Sequence, residues 1–253
     1  MSSSPINIII NRHHLLILLA ALLIILQCDY CNGLAQQSPP TYNYFAYGSN
    51  MAISTMINLR NLSPLASTAA ILPAHTLRFN IPGVPLVEPS SASVEPIIGM
   101  DKAMDVDTII ERGQLVHGVL YKLTQEDFAS VCSTEGVPFA YSLHRCRVIP
   151  YSGDGKRAGE DCLRKLDDDD DLNMASNDWG VPAFTLRAAR EKWRKGNDIP
   201  PSQSYLNVLI RGAKEFALDG SYLEKLQQIE AGRTFPGNGL AEEMLRRAEQ
   251  RTR

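Results

Sequence analysis

This chain is short of the residues that build metal, redox and nucleic-acid sites. Of its 253 residues only five are cysteine and five are histidine. Cys28 and Cys31 keep the two-residue gap of a metal or redox pair, but no second pair follows at zinc-site distance, and both stand at the tail of an apolar leader. The other three, Cys132, Cys146 and Cys162, make no disulfide framework and read as buried or incidental thiols. Outside the leader, His75, His117 and His144 stand at no ligand or dyad spacing, so none is given a role. A formal net charge of −3 offers no basic field for a polyanion, which sets nucleic acid aside. There is no G-x-S-x-G elbow and no phosphate loop. The aspartates Asp167–Asp171 lack the turn glycine and closing glutamate of an EF-hand, so calcium is set aside too. No internal repeat is present.

What the chain does have is apolar residues, 44% of the total, enough for a sizeable core in one domain with extensions. Arg12, His13 and His14 precede an unbroken apolar run, Leu15 to Leu26, that suits the core of a signal peptide better than a full membrane span. Gly33 and Ala35 then stand at −3 and −1 of a cleavage site after Ala35. Residues 1–35 are therefore read as a signal peptide or signal anchor, which gives the only expected membrane contact. The expected address is the secretory pathway or a membrane, with an organelle signal or a cytoplasmic protein as alternatives. Residues 36–41 form a polar linker, 42–235 the globular domain and 236–253 a charged tail.

Inside the domain, Tyr44–Ala46 reads as a short strand that runs through Gly48-Ser49-Asn50 into a helix, Met51 to Leu62. Glycine there suits a backbone closed to other residues, and Ser49 and Asn50 are good helix caps. Such a turn offers backbone N–H groups to a carboxylate or an oxyanion. Ser67–Asn80 reads as a strand pair. The stretch from Ile81 to Pro96, with prolines at 82, 85, 89 and 96, reads as a loop that ends in an edge strand, Ala92–Ile98. Asp101–Arg112 reads as a charged excursion. Val116–Leu123 alternates as a half-buried strand, and Thr124 with Glu126 and Asp127 opens a helix that runs to about Cys132. Ser142–Tyr151 and Pro182–Arg187 read as strands, and Gly153–Asp178 as a solvated loop. Gln203–Ala217 and Ser221–Ile229 read as helices, the first with Tyr205, Val208, Leu209, Gly212 and Phe216 on one face.

The octapeptide Tyr44–Met51 (YFAYGSNM) resembles the signature turn of the gamma-glutamylcyclotransferase family. Asn80–Pro96, Val116–Phe128, Ser133–Val137 (STEGV) and Pro201–Leu218 follow in the order that family uses, so the resemblance covers most of residues 42–232. It implies an α+β fold: a small, mixed, mostly antiparallel, partly closed β-barrel with surrounding helices. It also implies a gamma-glutamyl small molecule as substrate and a reaction without cofactor or metal. The substrate's own α-amino group attacks its γ-carbonyl, 5-oxoproline forms and the amino acid or amine leaves.

Glu135 matches the family's general acid/base. Its neighbours Val131, Val137, Phe139 and Ala140 are apolar, and a carboxylate held among them would titrate closer to neutrality. Read without the family, Glu135 is as well an exposed turn residue. The resemblance further implies that Gly48, Ser49, Asn50 and Met51, with Tyr47 and Tyr205, bind the substrate. Departures from the family are the leader, the proline-rich insert, the acidic segment and the tail, and the insert sits where leaving-group preference would be set. A barrel that kept the fold but lost the chemistry is the competing reading from another functional class.

Overall fold

The computed structural model describes residues 39–97, 106–113, 115–152, 156–168, 179–235, 239, 243, 244, 246, 247 and 250. The leader with Cys28 and Cys31, the first half of the linker, Asp169–Asp171 and most of the tail lie outside the described residues. No helix among those described is long and apolar enough to cross a membrane.

Strand β1 (Thr41–Ala46) pairs antiparallel with β5 (Leu115–Thr124), which pairs with β2 (Ala66–Pro73). β2 touches β6 (Tyr141–Pro150) through Ala70 and Ile71, and β6 pairs with β7 (Val181–Ala188). One parallel contact, Tyr44 to Phe184, joins β7 to β1 and closes the barrel. The expected partly closed barrel is thus a closed one of five strands, with Phe45, Ile71, Val116, Val119, Leu123 and Val148 among its fully buried residues. Burying one such side chain contributes roughly 1.5–3 kcal/mol.

Three expectations change. Ser67–Asn80 does hold strands, but β2 does not pair with the next one, β3 (His75–Val84); β3 pairs with β4 (Glu88–Pro96) in a separate two-stranded sheet. The proline-rich stretch expected to be a loop is largely this hairpin. Each strand of a two-stranded sheet has a free edge, so the missing N–H groups of Pro82, Pro89 and Pro96 break no central ladder. The expected solvated loop at 153–178 contains a helix, α3 (Ala158–Asp168), that buries Leu163 and Glu160. It forms because Asp219, 60 residues away, accepts hydrogen bonds from the N–H groups of Gly159 and Glu160 at its start.

The other helices are α1 (Val106–Glu111), α2 (Gln125–Thr134), α4 (Glu191–Arg194), α5 (Gln203–Glu215) and α6 (Gly220–Gln228). Thr124 caps α2 through Asp127 N at 3.1 Å, as expected. Ser202 caps α5 through Tyr205 N at 2.9 Å, and Tyr205, Val208, Leu209 and Gly212 are buried on its inner face. Cys132, Cys146 and Cys162 are free, half-buried thiols, and burial pushes Cys146 up to about 12.

His117 lies fully buried in β5, stacked on Tyr222 and 3.1 Å from the Tyr151 hydroxyl. Burial first, then the positive charge of Lys225, pulls it from 6.5 down to about 3. A depressed histidine favours the neutral form in the fold, so between pH 6.5 and about 3 the unfolded chain binds more protons. Its stability contribution is complete above pH 6.5 and is lost as the pH falls. At pH 5 the loss from this residue is about 2 kcal/mol. His75, drawn down to about 4 mainly by burial, adds to it, whereas Asp219, raised mainly by burial, works in the opposite sense. Urea unfolding midpoints should fall markedly between pH 7 and pH 5, and His117→Gln should narrow that difference; a flat midpoint would contradict the assignment.

Candidate active site

At the end of β1 the chain turns through Tyr47 and Gly48 into a single 3-10 turn, Ser49–Met51, and then a π-helical segment, Ser54–Leu59. The helix expected over Met51–Leu62 is therefore two short pieces. The reason for Gly48 also differs from the expectation. Its φ is −109°, open to other residues, but a Cβ there would stand 3.1 Å from the Tyr205 hydroxyl. Neither the serine nor the asparagine caps this turn with its side chain.

Asn50 does something else. It is 4% exposed, and its amide nitrogen donates to the Tyr44 hydroxyl and to Glu135 Oε1, both at 2.9 Å. Its amide oxygen accepts from Arg60 Nε at 2.9 Å. Arg60 also ion-pairs through Nη2 with Glu135 Oε1 and donates through Nη1 to Thr134 Oγ1. A closed ring of hydrogen bonds thus joins Asn50, Arg60 and Glu135 and fixes one carboxylate oxygen with two donors. Glu135 can reach this ring because α2 ends at Thr134 and Gly136 takes a left-handed φ of +68°, which turns the chain away.

The apolar surroundings expected for Glu135 are not what its carboxylate meets. Phe139 is 78% exposed, and the groups against Glu135 are the guanidinium and the amide. The exposed-turn alternative does not hold either, since the Glu135 side chain is only 13% exposed.

Glu135 lines one small cleft together with Tyr44, Tyr47, Gly48, Ser49, Asn50, Ala92, Tyr141, Leu186 and Tyr205. Six of the seven residues nominated from the sequence meet there. The exception is Met51, whose side chain is fully buried in the core and whose carbonyl accepts from the Tyr121 hydroxyl at 3.1 Å. A larger, more apolar cavity lined by Leu77, Phe79, Leu115, Ile199, Leu226 and Ile229 holds none of the nominated residues. Burial, reinforced by the negative charge of Glu135, holds the phenols of Tyr44, Tyr47, Tyr141 and Tyr205 above their ordinary range, so at neutral pH all four keep their protons.

The sequence reading missed Arg60, Tyr44 and Tyr141. Arg60 left a signal: it is the one charge in the otherwise apolar and polar stretch Met51–Leu62. Tyr44 and Tyr141 left none, because a strand tyrosine looks the same whether it faces core or cleft. A histidine contact was missed as well. His75 and His144, 69 residues apart, bring their Nε2 atoms to 3.3 Å. His75 Nδ1 donates to the Pro73 carbonyl at 2.9 Å, so His144 supplies the proton between the rings.

A family model described as the AIG2-like family matches residues 115–226. The chain is 29% identical over 178 residues to the gamma-glutamyl cyclotransferase gliK of Claviceps purpurea (strain 20.1), which covers 70% of this chain and 65% of that protein. This chain therefore spans slightly less than two thirds of the length of that relative. It is 31% identical over 168 residues to the gamma-glutamyl cyclotransferase verK of Clonostachys rogersoniana, covering 64% of this chain and 80% of that one. A solved structure titled gamma-glutamyl cyclotransferase has the same fold, with a TM-score of 0.50 at 20% identity over 82% of this chain and 99% of that one. With that fold, that order of segments and these relatives, the chain belongs to the gamma-glutamylcyclotransferase family.

Proposed function

We propose that this protein is a gamma-glutamylcyclotransferase that turns gamma-glutamyl amino acids, or gamma-glutamyl amines, into 5-oxoproline and the free amino acid or amine. The observation that carries the reading is the Glu135 carboxylate, held by Asn50 and Arg60 in the same cleft as the turn Gly48-Ser49-Asn50. The names of the relatives from Claviceps purpurea and Clonostachys rogersoniana support it.

The chemistry needs little machinery. The α-amine and γ-carbonyl of the substrate belong to one molecule, and closing a five-membered ring draws on proximity worth roughly 7–11 kcal/mol in well-oriented intramolecular reactions. The amine nitrogen forms a bond to the γ-carbon, and the bond from that carbon to the leaving nitrogen breaks. One proton moves from the attacking to the leaving nitrogen. Glu135 takes it and returns it, so the atoms balance without water, nucleotide or metal. Arg60 positions Glu135 from behind: it occupies Oε1, which leaves the carboxylate's second oxygen to carry the proton. Glutathione or another gamma-glutamyl metabolite is the substrate class next in line. The leader would deliver the enzyme to the secretory pathway.

The direct test is incubation of the domain from residue 36 onward with a panel of gamma-glutamyl amino acids, gamma-glutamyl amines and glutathione, scored for 5-oxoproline. Release from at least one class is expected. A folded protein that releases none from any of them would leave the non-catalytic barrel as the better reading.

A further inference from the structure

The apolar cavity bordered by β3, the start of β5, residues 198–201 and α6 has no part in the proposed chemistry and shares no residue with the cleft. It measures about 400 Å³, within the roughly 300–1,000 Å³ of small-molecule sites. Two of its walls follow from sequence periodicity. Leu77 and Phe79 stand two apart on β3 and share one face of that strand. Tyr222, Lys225, Leu226 and Ile229 recur at three- and four-residue spacing, so one side of α6 and its end turn to the same space. A third wall is tied down by hydrogen bonds. Ile199 N–H donates to the Phe79 carbonyl at 2.8 Å, the Ser90 hydroxyl donates to the Ile199 carbonyl at 2.6 Å, and Gly232 N–H donates to the Pro201 carbonyl at 2.8 Å. The walls are in place before anything enters, so an occupant need not order them.

Charge decides what fits. Asp198 is already spent on Arg78, at 2.7 Å. Lys225 and Glu230 line the cavity from exposed positions and form no ion pair among the described residues. The Lys225 ammonium stands 3.5 Å from where a Cβ on Gly113 would lie, so that glycine, also in the lining, leaves it room. The cavity thus pairs an apolar interior with one uncommitted cation and one uncommitted anion. An uncharged hydrocarbon would use neither charge, and a plain carboxylate would meet Glu230 as well as Lys225. A zwitterion with an apolar side chain uses both.

We infer that this cavity is a binding site for a free α-amino acid with an apolar side chain. The side chain lies among Phe79, Leu115 and Leu226, the carboxylate on Lys225 and the ammonium on Glu230. The site goes beyond the cyclisation, and binding there does not depend on it. Free amino acids are also what the cleft releases on the reading above, and only one aromatic contact separates the two places. Phe79 lines the cavity, and its ring meets that of Tyr205, a cleft residue, edge-on at 6.4 Å.

Binding is measured on the full chain with no gamma-glutamyl compound present, so the outcome is independent of turnover. L-leucine and L-phenylalanine are titrated by calorimetry beside glycine, 4-methylpentanoate and 3-methylbutylamine; the last two each lack one of leucine's charges. Saturable binding of leucine and phenylalanine is expected. Glycine should bind at least about ten-fold more weakly for want of a side chain to bury. Each single-charge analogue should bind roughly two- to five-fold more weakly, the worth of one exposed ion pair. Methyl NMR locates the ligand: resonances of Leu77, Leu226 and Ile229 should shift, and Leu186 in the cleft should not. Lys225→Ala and Glu230→Ala, at exposed positions where folding should survive, are each expected to weaken leucine binding by the same two- to five-fold. Ile229→Trp, which fills the cavity, should abolish it. No saturable binding, shifts confined to Leu186, or glycine bound as tightly as leucine would overturn the inference. Analogues and alanine variants that all bind unchanged would overturn it too, since the two charges would then be idle. Absence of 5-oxoproline would instead defeat the proposed function and leave this site standing, so the two failures are told apart.

Discussion

Glu135→Gln should cut 5-oxoproline release by roughly 10²–10⁴-fold, the range for removal of a positioned acid/base group. The substitution is close to isosteric. Glutamine still offers an oxygen to the Asn50 amide, now 2.9 Å from Glu135 Oε1, so the side chain should keep its place. What it loses is the capacity to take a proton from the amine and pass it on. The ion pair with Arg60 goes as well, at a cost to stability of about 1–3 kcal/mol, moderated because Arg60 keeps its bonds to Asn50 and Thr134. The variant should therefore fold, bind a gamma-glutamyl ligand and not turn it over. Single-turnover assays across pH would check this, and near-normal rates would remove Glu135 from the mechanism.

The largest effect on stability is expected at Asp219, far from the chemistry. Its carboxylate is fully buried and accepts from Gly159 N at 2.9 and 3.0 Å and from Glu160 N at 3.1 Å. Its own N–H lies 3.3 Å from the Tyr151 hydroxyl, which in turn meets His117. Asp219→Ala would orphan the amides at the start of α3 and remove a negative charge from the positive end of that helix. Each buried amide left unpaired costs about 1–3 kcal/mol, so a total near 3–5 kcal/mol is expected. For a domain of this size that lowers the melting temperature on the order of 10 °C. Asp219→Asn, which keeps one acceptor, should fall between. Calorimetry on the three proteins decides it, and an alanine variant that melts with the unsubstituted protein would show that α3 does not depend on this cap. Activity at a temperature where the variant is folded should change little, because Asp219 does not line the cleft.

Much of the fold was readable because its signals are local. Thr124 before two acidic residues is a helix start wherever it occurs and caps as expected, and Ser202, just ahead of the apolar stripe of Gln203–Ala217, caps α5 in the same way. Val116–Leu123 was legible as a strand, but β5 is buried on both faces and not half-buried, because β1 and β2 flank it inside the barrel and helices cover its outer side. The failures share a cause. The proline-rich hairpin was missed because the cost of a proline in a strand depends on whether a neighbour stands on its N–H side, and nothing local says whether one does. Helix α3 was missed because its cap is supplied by Asp219, 60 residues downstream. In the site, the sequence pointed to Glu135 and to the turn. It was silent on Tyr141, which β6 carries under the Ala92 carbonyl of a different sheet.

By itself, then, the chain's order of residues determined the family, the class of fold and one acidic residue worth testing, since all three are carried by short contiguous stretches. Tertiary structure alone decided that Arg60 and Asn50 hold that carboxylate, that Met51 belongs to the core and that the Tyr205 hydroxyl accepts from the Ala92 N–H of a different sheet. The physical reason is that hydrogen-bond partners are chosen by position and by which donors are already spent. Those are set only when strands 40 to 140 residues apart come together.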